Sequence, residues 1–186
     1  MKTLLLPRMA SRWTLLIALL SALVLLSACA GPRLADHSGQ TPVFDFKRYF
    51  SGRVLAHGLV SDRGGKVLRR FVVDIQANWA GNTGTLDERF VYDDGERQRR
   101  VWTVQIQPDG SLVGNAADVV GQAVGRSTGP AFNWRYTLAL PVDGTVYEVQ
   151  FDDWMYQVDE DVVLNRATMS KFGVRVGEVL LSFQRR

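Results

Sequence analysis

Four charged residues fall on faces that the rest of the chain makes apolar, and these are the positions where chemistry could be done. If Asp143-Gly144 is a two-residue hairpin loop, Val142 pairs with Thr145 and each earlier residue with its mirror. One face then carries Leu140 with Tyr147, Leu138 with Val149, Tyr136 with Phe151 and Phe132 with Met155. On the other face Arg135 meets Asp152, a solvent-side ion pair worth at most about 1 kcal/mol. Asp153 lands on the apolar side, opposite Trp134. A three-residue loop at Asp93-Asp94-Gly95, with Gly95 left-handed, likewise pairs Phe90 with Gln98 and Leu86 with Trp102. It turns Glu88 towards Arg100 on the same apolar side. Alternation through Val67, Phe71, Val73, Ile75, Ala77 and Trp79 adds Arg69.

The interior is thus expected to hold Arg69, Glu88, Arg100 and Asp153, two charges against two, because unpaired burial is prohibitive. Three uses fit. The four can form internal salt bridges that fix strand register. They can line a cavity and orient the polar head of an apolar ligand among Trp79, Trp102, Trp134 and Tyr136. Or Glu88 or Asp153 can serve as a general base whose pKa burial raises. The ligand-binding candidates are Arg69, Glu88, Arg100, Trp102, Trp134, Tyr136 and Asp153.

No catalytic residue is assigned, since no His, Ser or Cys stands in a triad context. His37 and His57 share no HxH or HExxH spacing, so neither a metal nor a cofactor is expected. Asp152-Asp153 is no carboxylate pair, because adjacent strand residues face opposite sides. Arg97, Arg99 and Arg100 are offset by Asp93, Asp94 and Glu96 and read as a solvated hairpin end. The glycines follow neither G-x-x-x-x-G-K-[ST] nor GxGxxG in a strand-to-helix setting, so nucleotide binding has no support.

Placing these side chains takes a run of strands. With 46% hydrophobic and 22% charged residues in 186, the chain is neither disordered nor low-complexity. From Phe44 onward aromatic and β-branched residues alternate with polar ones, punctuated by Asp-Gly turns. Strands are expected at 53–61, 66–79, 85–92, 96–107, 111–126 (bent at Gly121), 131–142, 145–158, 162–171 and 174–184, with a short helix or plug at 44–50. Short connections make neighbours antiparallel. About nine strands in up-and-down order favour an all-β, lipocalin-like closed barrel over 44–186, with an open β-sandwich as the alternative.

The amino-terminal part carries an address. Lys2, Arg8 and Arg12 supply the whole net charge of +3, and without them 19 basic residues face 19 acidic ones. No nucleic-acid partner is expected. An uncharged run from Trp13 to Ala28 follows, as in a signal peptide, here 1–28. Leu26-Ser27-Ala28-Cys29 resembles the bacterial lipobox, which implies a lipidated Cys29 anchored in a membrane; this is the chain's only cysteine. Ala30 after it implies, by the sorting rule of Gram-negative lipoproteins, the outer membrane; this leaves the leaflet open, and a domain facing the periplasm is the expectation. Residues 29–43 then form the lipidated cysteine and a flexible tether reaching roughly 20 Å.

Tyr49-Phe50-Ser51-Gly52, Arg69-Arg70-Phe71, Tyr92-Asp93-Asp94-Gly95-Glu96, Phe151-Asp152-Asp153-Trp154-Met155 and Met169-Ser170-Lys171-Phe172-Gly173 resemble motifs of a family of bacterial lipoproteins classed as a domain of unknown function. The resemblance covers about 44–183 and implies an exported, anchored protein, with no assigned activity, cofactor or catalytic residue. The resemblance also brings a loose association with genes for fatty-acid modification, which favours lipid handling. The leading expectation is a tethered barrel that binds or carries a lipophilic small molecule. The alternatives are a structural or assembly factor with a protein partner, and an enzyme acting on a lipid-like substrate.

Overall fold

The computed structural model describes residues 31–142 and 144–186. The expected signal peptide over 1–28, the expected lipidation site Cys29, and Asp143 of the hairpin turn lie outside the described residues.

Ten strands close into one antiparallel barrel in which each strand pairs with its neighbours in sequence and β1 pairs with β10. They are β1 (Gly52–Asp62), β2 (Val67–Ala80), β3 (Thr83–Tyr92), β4 (Arg97–Ile106), β5 (Leu112–Asn115), β6 (Val119–Thr128), β7 (Ala131–Val142), β8 (Thr145–Gln157), β9 (Val162–Lys171) and β10 (Val174–Arg185). Closure excludes the open sandwich and leaves no free edge. The strand count rises from the expected nine because 111–126 is two strands, interrupted at 116–118. A bend does occur at Gly121, where φ is +72° and the β6–β7 register shifts. Polar residues at Asn115 and Asp118 end the first strand before that bend.

One end of the barrel is plugged. A one-turn helix, α1 (Phe46–Tyr49), starts at Asp45, whose carboxylate accepts from the Arg48 N–H at 3.0 Å. It carries Phe46 and Tyr49 into the barrel, between Phe44 and Phe50, and all four are buried. Phe46 lies 4.9 Å from Phe132 and 4.6 Å from Phe50, ring centre to ring centre. Each such side chain contributes about 1.5–3 kcal/mol by burial. Trp79, expected in the interior with the site aromatics, sits at this end instead, its indole N–H donating to the Phe50 carbonyl at 2.7 Å.

The stretch expected as a free tether differs from that reading beyond residue 33. A 3-10 turn at Leu34–His37 lies against β6 and β7. The His37 ring meets Tyr156 edge-on at 5.5 Å, and the Phe44 N–H donates to the Gly129 carbonyl at 2.8 Å. Gly129 permits this approach, since a Cβ there would overlap the His37 carbonyl. Every strand, the plug and the core therefore lie within Leu34–Arg186, one compact unit with its own apolar interior, which is what a segment needs to fold alone.

Both hairpins have the register the turn chemistry demands. Trp134 stands opposite Asp153, Tyr136 opposite Phe151 and Arg135 opposite Asp152. Glu88 stands opposite Arg100, and Leu86 opposite Trp102.

Candidate functional site

Inside the barrel the plug leaves a cavity of about 250 Å³. That volume lies just below the roughly 300–1,000 Å³ of common small-molecule sites, enough for one chain or ring system. Its floor is Phe46, Phe50, Trp134 and Met155. At the hairpin end Val60, Tyr92, Leu140 and Met169 line it and are partly exposed, whereas the floor is buried, so solvent reaches it from the hairpin end.

Apart from Gln98, which accepts from the Tyr92 O–H at 2.9 Å near the hairpin end, the walls are apolar except for two polar groups at mid-depth. On one side β4 supplies Arg100, whose Nε lies 3.1 and 3.0 Å from the two Asp118 carboxylate oxygens and whose Nη2 donates to Oδ2 at 2.7 Å. Glu88 on β3 approaches the same guanidinium at 3.9 Å. The Arg100 and Glu88 side chains are only 13% and 15% exposed. Burial pushes the Glu88 carboxyl up to about 7, against the opposing pull of Arg100 and the Trp102 indole.

On the other side β8 supplies Asp153, 5% exposed. Tyr136 O–H on β7 donates to its Oδ2 at 3.1 Å, and the Asn165 amide on β9 donates to its Oδ1 and, at 3.1 Å, to the Trp154 carbonyl. Burial pushes Asp153 up to about 6, with the Asn165 and Tyr136 bonds acting the other way. The Tyr136 phenol is driven well above its ordinary value by burial and by Asp153. Asn165 Oδ1 is buried and finds no donor among the described residues.

Aromatic rings surround both groups. Trp102 meets Tyr136 at 5.5 Å and Trp134 at 5.8 Å, both edge to face, while Tyr136 stacks on Phe151 at 5.0 Å. The close fit requires small neighbours. A Cβ on Gly125 would overlap Trp134 and Phe132.

Six of the seven candidate residues line this cavity: Glu88, Arg100, Trp102, Trp134, Tyr136 and Asp153. Arg69 does not belong with them. It keeps the inward alternation of β2 and pairs with Val60, but it stands at the hairpin-end rim, where its side chain is partly exposed. There its guanidinium lies 3.7 Å over the Tyr92 ring and pairs with Asp94 and Glu96, both at 2.9 Å. The expected balance of two charges against two is therefore replaced by one arginine with Glu88, Asp118 and Asp153. Asp118 was hidden because its segment read as uninterrupted strand. Asn165 was findable: alternation through Val163, Asn165, Ala167 and Met169 places an amide on an apolar face. No group of three His, Cys, Asp or Glu among the described residues is placed to hold a metal ion.

Residues 23–185 match a family model described as a protein of unknown function, DUF3833. The chain belongs to that family. No curated protein matches it. The family description names no activity, so the use of this DUF3833 barrel has to be argued from the cavity itself. Its chemistry offers hydrogen-bonding and charged groups at mid-depth, aromatic walls around them, and an apolar route to one end. Among the described residues, the Asp153 carboxyl is bonded to the Tyr136 phenol and the Asn165 amide, and the Glu88 carboxyl faces the Arg100 guanidinium.

Proposed function

We propose that this protein is an envelope lipoprotein whose barrel binds or carries a lipophilic molecule. The observation that carries the reading is the cavity: a packed barrel would have no use for a 250 Å³ space lined by aromatics around buried Glu88, Arg100 and Asp153. Buried charges cost stability unless they serve something else, and orienting the polar end of an apolar guest is such a service. The lipobox-like run at Cys29 supports an anchored protein, and Ala30 after it supports the outer membrane as its place, with the domain proposed to face the periplasm. Multiple acyl chains on that cysteine would anchor it stably.

The test is native mass spectrometry with solvent extraction on residues 34–186, exported to a bacterial periplasm and purified without detergent. The reading expects a bound hydrophobic mass that disappears in Trp134→Ala. A clean ligand-free mass overturns it.

A second reading rests on a different surface. On the outer wall His57, Leu59, Val72, Val91, Leu164 and Leu180 line a shallow apolar depression, and Val72, Val91, Leu164 and Leu180 are 38–49% exposed. Such a patch suits a protein contact of an assembly factor. Crosslinking from Val72 in intact cells tests it, and a specific protein adduct is the expected result.

A further inference from the structure

The interior charges do not balance. Among the described residues that line the cavity, Arg100 is the one cation, and Asp118 already holds it through two nitrogens while Glu88 stands on its other side. Asp153 faces no cation at all; its partners Tyr136 and Asn165 are neutral. An anionic head would enter a space bordered by two carboxyls and one committed guanidinium, and would find no free counter-charge among the lining residues.

A cation would find the reverse. Two carboxyls, Glu88 and Asp153, border the space, and each acts electrostatically on the same Tyr136 phenol. The faces and edges of Trp102, Trp134 and Tyr136 surround it, and aromatic faces attract ammonium groups by about 0.5–2 kcal/mol, more where water is excluded. Asn165, 3% exposed, also lines this space, and its amide oxygen has no donor among the described residues. That is an acceptor awaiting an N–H, and it is independent of the carboxyls. A buried polar atom left unpaired costs about 1–3 kcal/mol, so a guest that supplies the proton is favoured.

Resting on the carrier reading, we propose that the cavity takes a single-chain amphiphile with a cationic amine head. The head sits against Asp153 and Asn165 with Glu88 completing the negative side, and the chain runs towards the hairpin end past Phe71, Leu140 and Leu181. This orientation leaves the plug undisturbed.

The experiment is isothermal titration calorimetry of residues 34–186 at about pH 8, where both carboxyls are largely ionised. Dodecylamine, dodecanol and laurate are each used below the micelle concentration. The expected order is amine tightest, alcohol weaker by about tenfold, laurate weakest, as the loss of one charge-assisted bond requires. In Asp153→Asn and separately in Glu88→Gln, amine affinity falls about tenfold while dodecanol affinity holds within about threefold. Laurate binding as tightly as the amine overturns the head-group assignment and leaves the carrier reading standing. Equal losses for amine and alcohol in both variants overturn it too, because the carboxyls would then only shape the cavity. Failure of all three to bind removes the carrier reading itself.

Discussion

Asp152 and Asp153 are neighbours in one strand, and they live in different media. On the outer wall, burial resists ionisation of Asp152, but Asn133 and Arg135 hold its carboxyl below the usual value. One residue on, Asp153 is pushed up to about 6 inside the barrel. The same contrast runs round the molecule. Outside, Arg53 holds Asp74 and Arg99 holds Asp87 below the ordinary range, in contacts where the arginines are more than half exposed. Inside, Glu88 rises to about 7 even beside an arginine. Surface pairs of this kind contribute little and can be lost at small cost. Burial works against the charged forms of the interior carboxyls, a cost that the proposed ligand would offset.

The largest expected effect that sharpens the contrast comes from Arg100→Met, which leaves Asp118 and Glu88 without their counter-charge at mid-depth. Urea denaturation should show a loss of about 3 kcal/mol. A loss under about 1 kcal/mol would make the interior pair no different from the outer ones.

Next comes pH. Folding raises both interior carboxyls, so the barrel takes up protons as it folds. That advantage is complete below the ordinary values of 3.8 and 4.5 and is lost as pH rises through about 6 for Asp153 and about 7 for Glu88. For Asp153 the shift corresponds to about 3 kcal/mol. Thermal melts from about pH 4 to 8 should therefore show Asp153→Asn gaining on the natural protein as pH increases. Parallel curves would mean that folding leaves the Asp153 carboxyl unshifted and would remove the contrast with Asp152.

Gly125→Ala probes the inner wall sterically. The added methyl meets Trp134 and Phe132, and overpacking of this kind costs about 1–3 kcal/mol by denaturant titration. The smallest effect belongs to Arg135→Ala, which breaks only the exposed 3.0 Å contact with Asp152. It should change stability by less than about 1 kcal/mol and fade in high salt.

The interior was legible where turn chemistry fixed the register. Gly144 and Gly95 both adopt positive φ, and counting outward from them placed Asp153 against Trp134 and Glu88 against Arg100. Arg69 was misplaced because alternation, which it keeps, carries no information about where a strand leaves the cavity, and at the rim Asp94, Glu96 and the Tyr92 ring hold its guanidinium. Asp118 escaped because its ladder is broken by loop residues whose backbone still bonds to the sheet, the Ala139 N–H donating to the Asp118 carbonyl at 2.8 Å. The ordered run from Leu34 was hidden for a related reason. Its fixing contacts, His37 on Tyr156 and the close approach at Gly129, join residues far apart in sequence and leave no local pattern.

The central claim is that the inner wall, not the outer one, meets the ligand. Isotope-edited nuclear Overhauser measurements on residues 34–186 with dodecylamine test it most directly. The account predicts contacts from the alkyl chain to the rings of Phe71, Trp102 and Tyr136, and from the methylene next to nitrogen to Asn165. Contacts confined to Val72, Leu164 and Leu180 would place the guest on the outer wall and contradict the account.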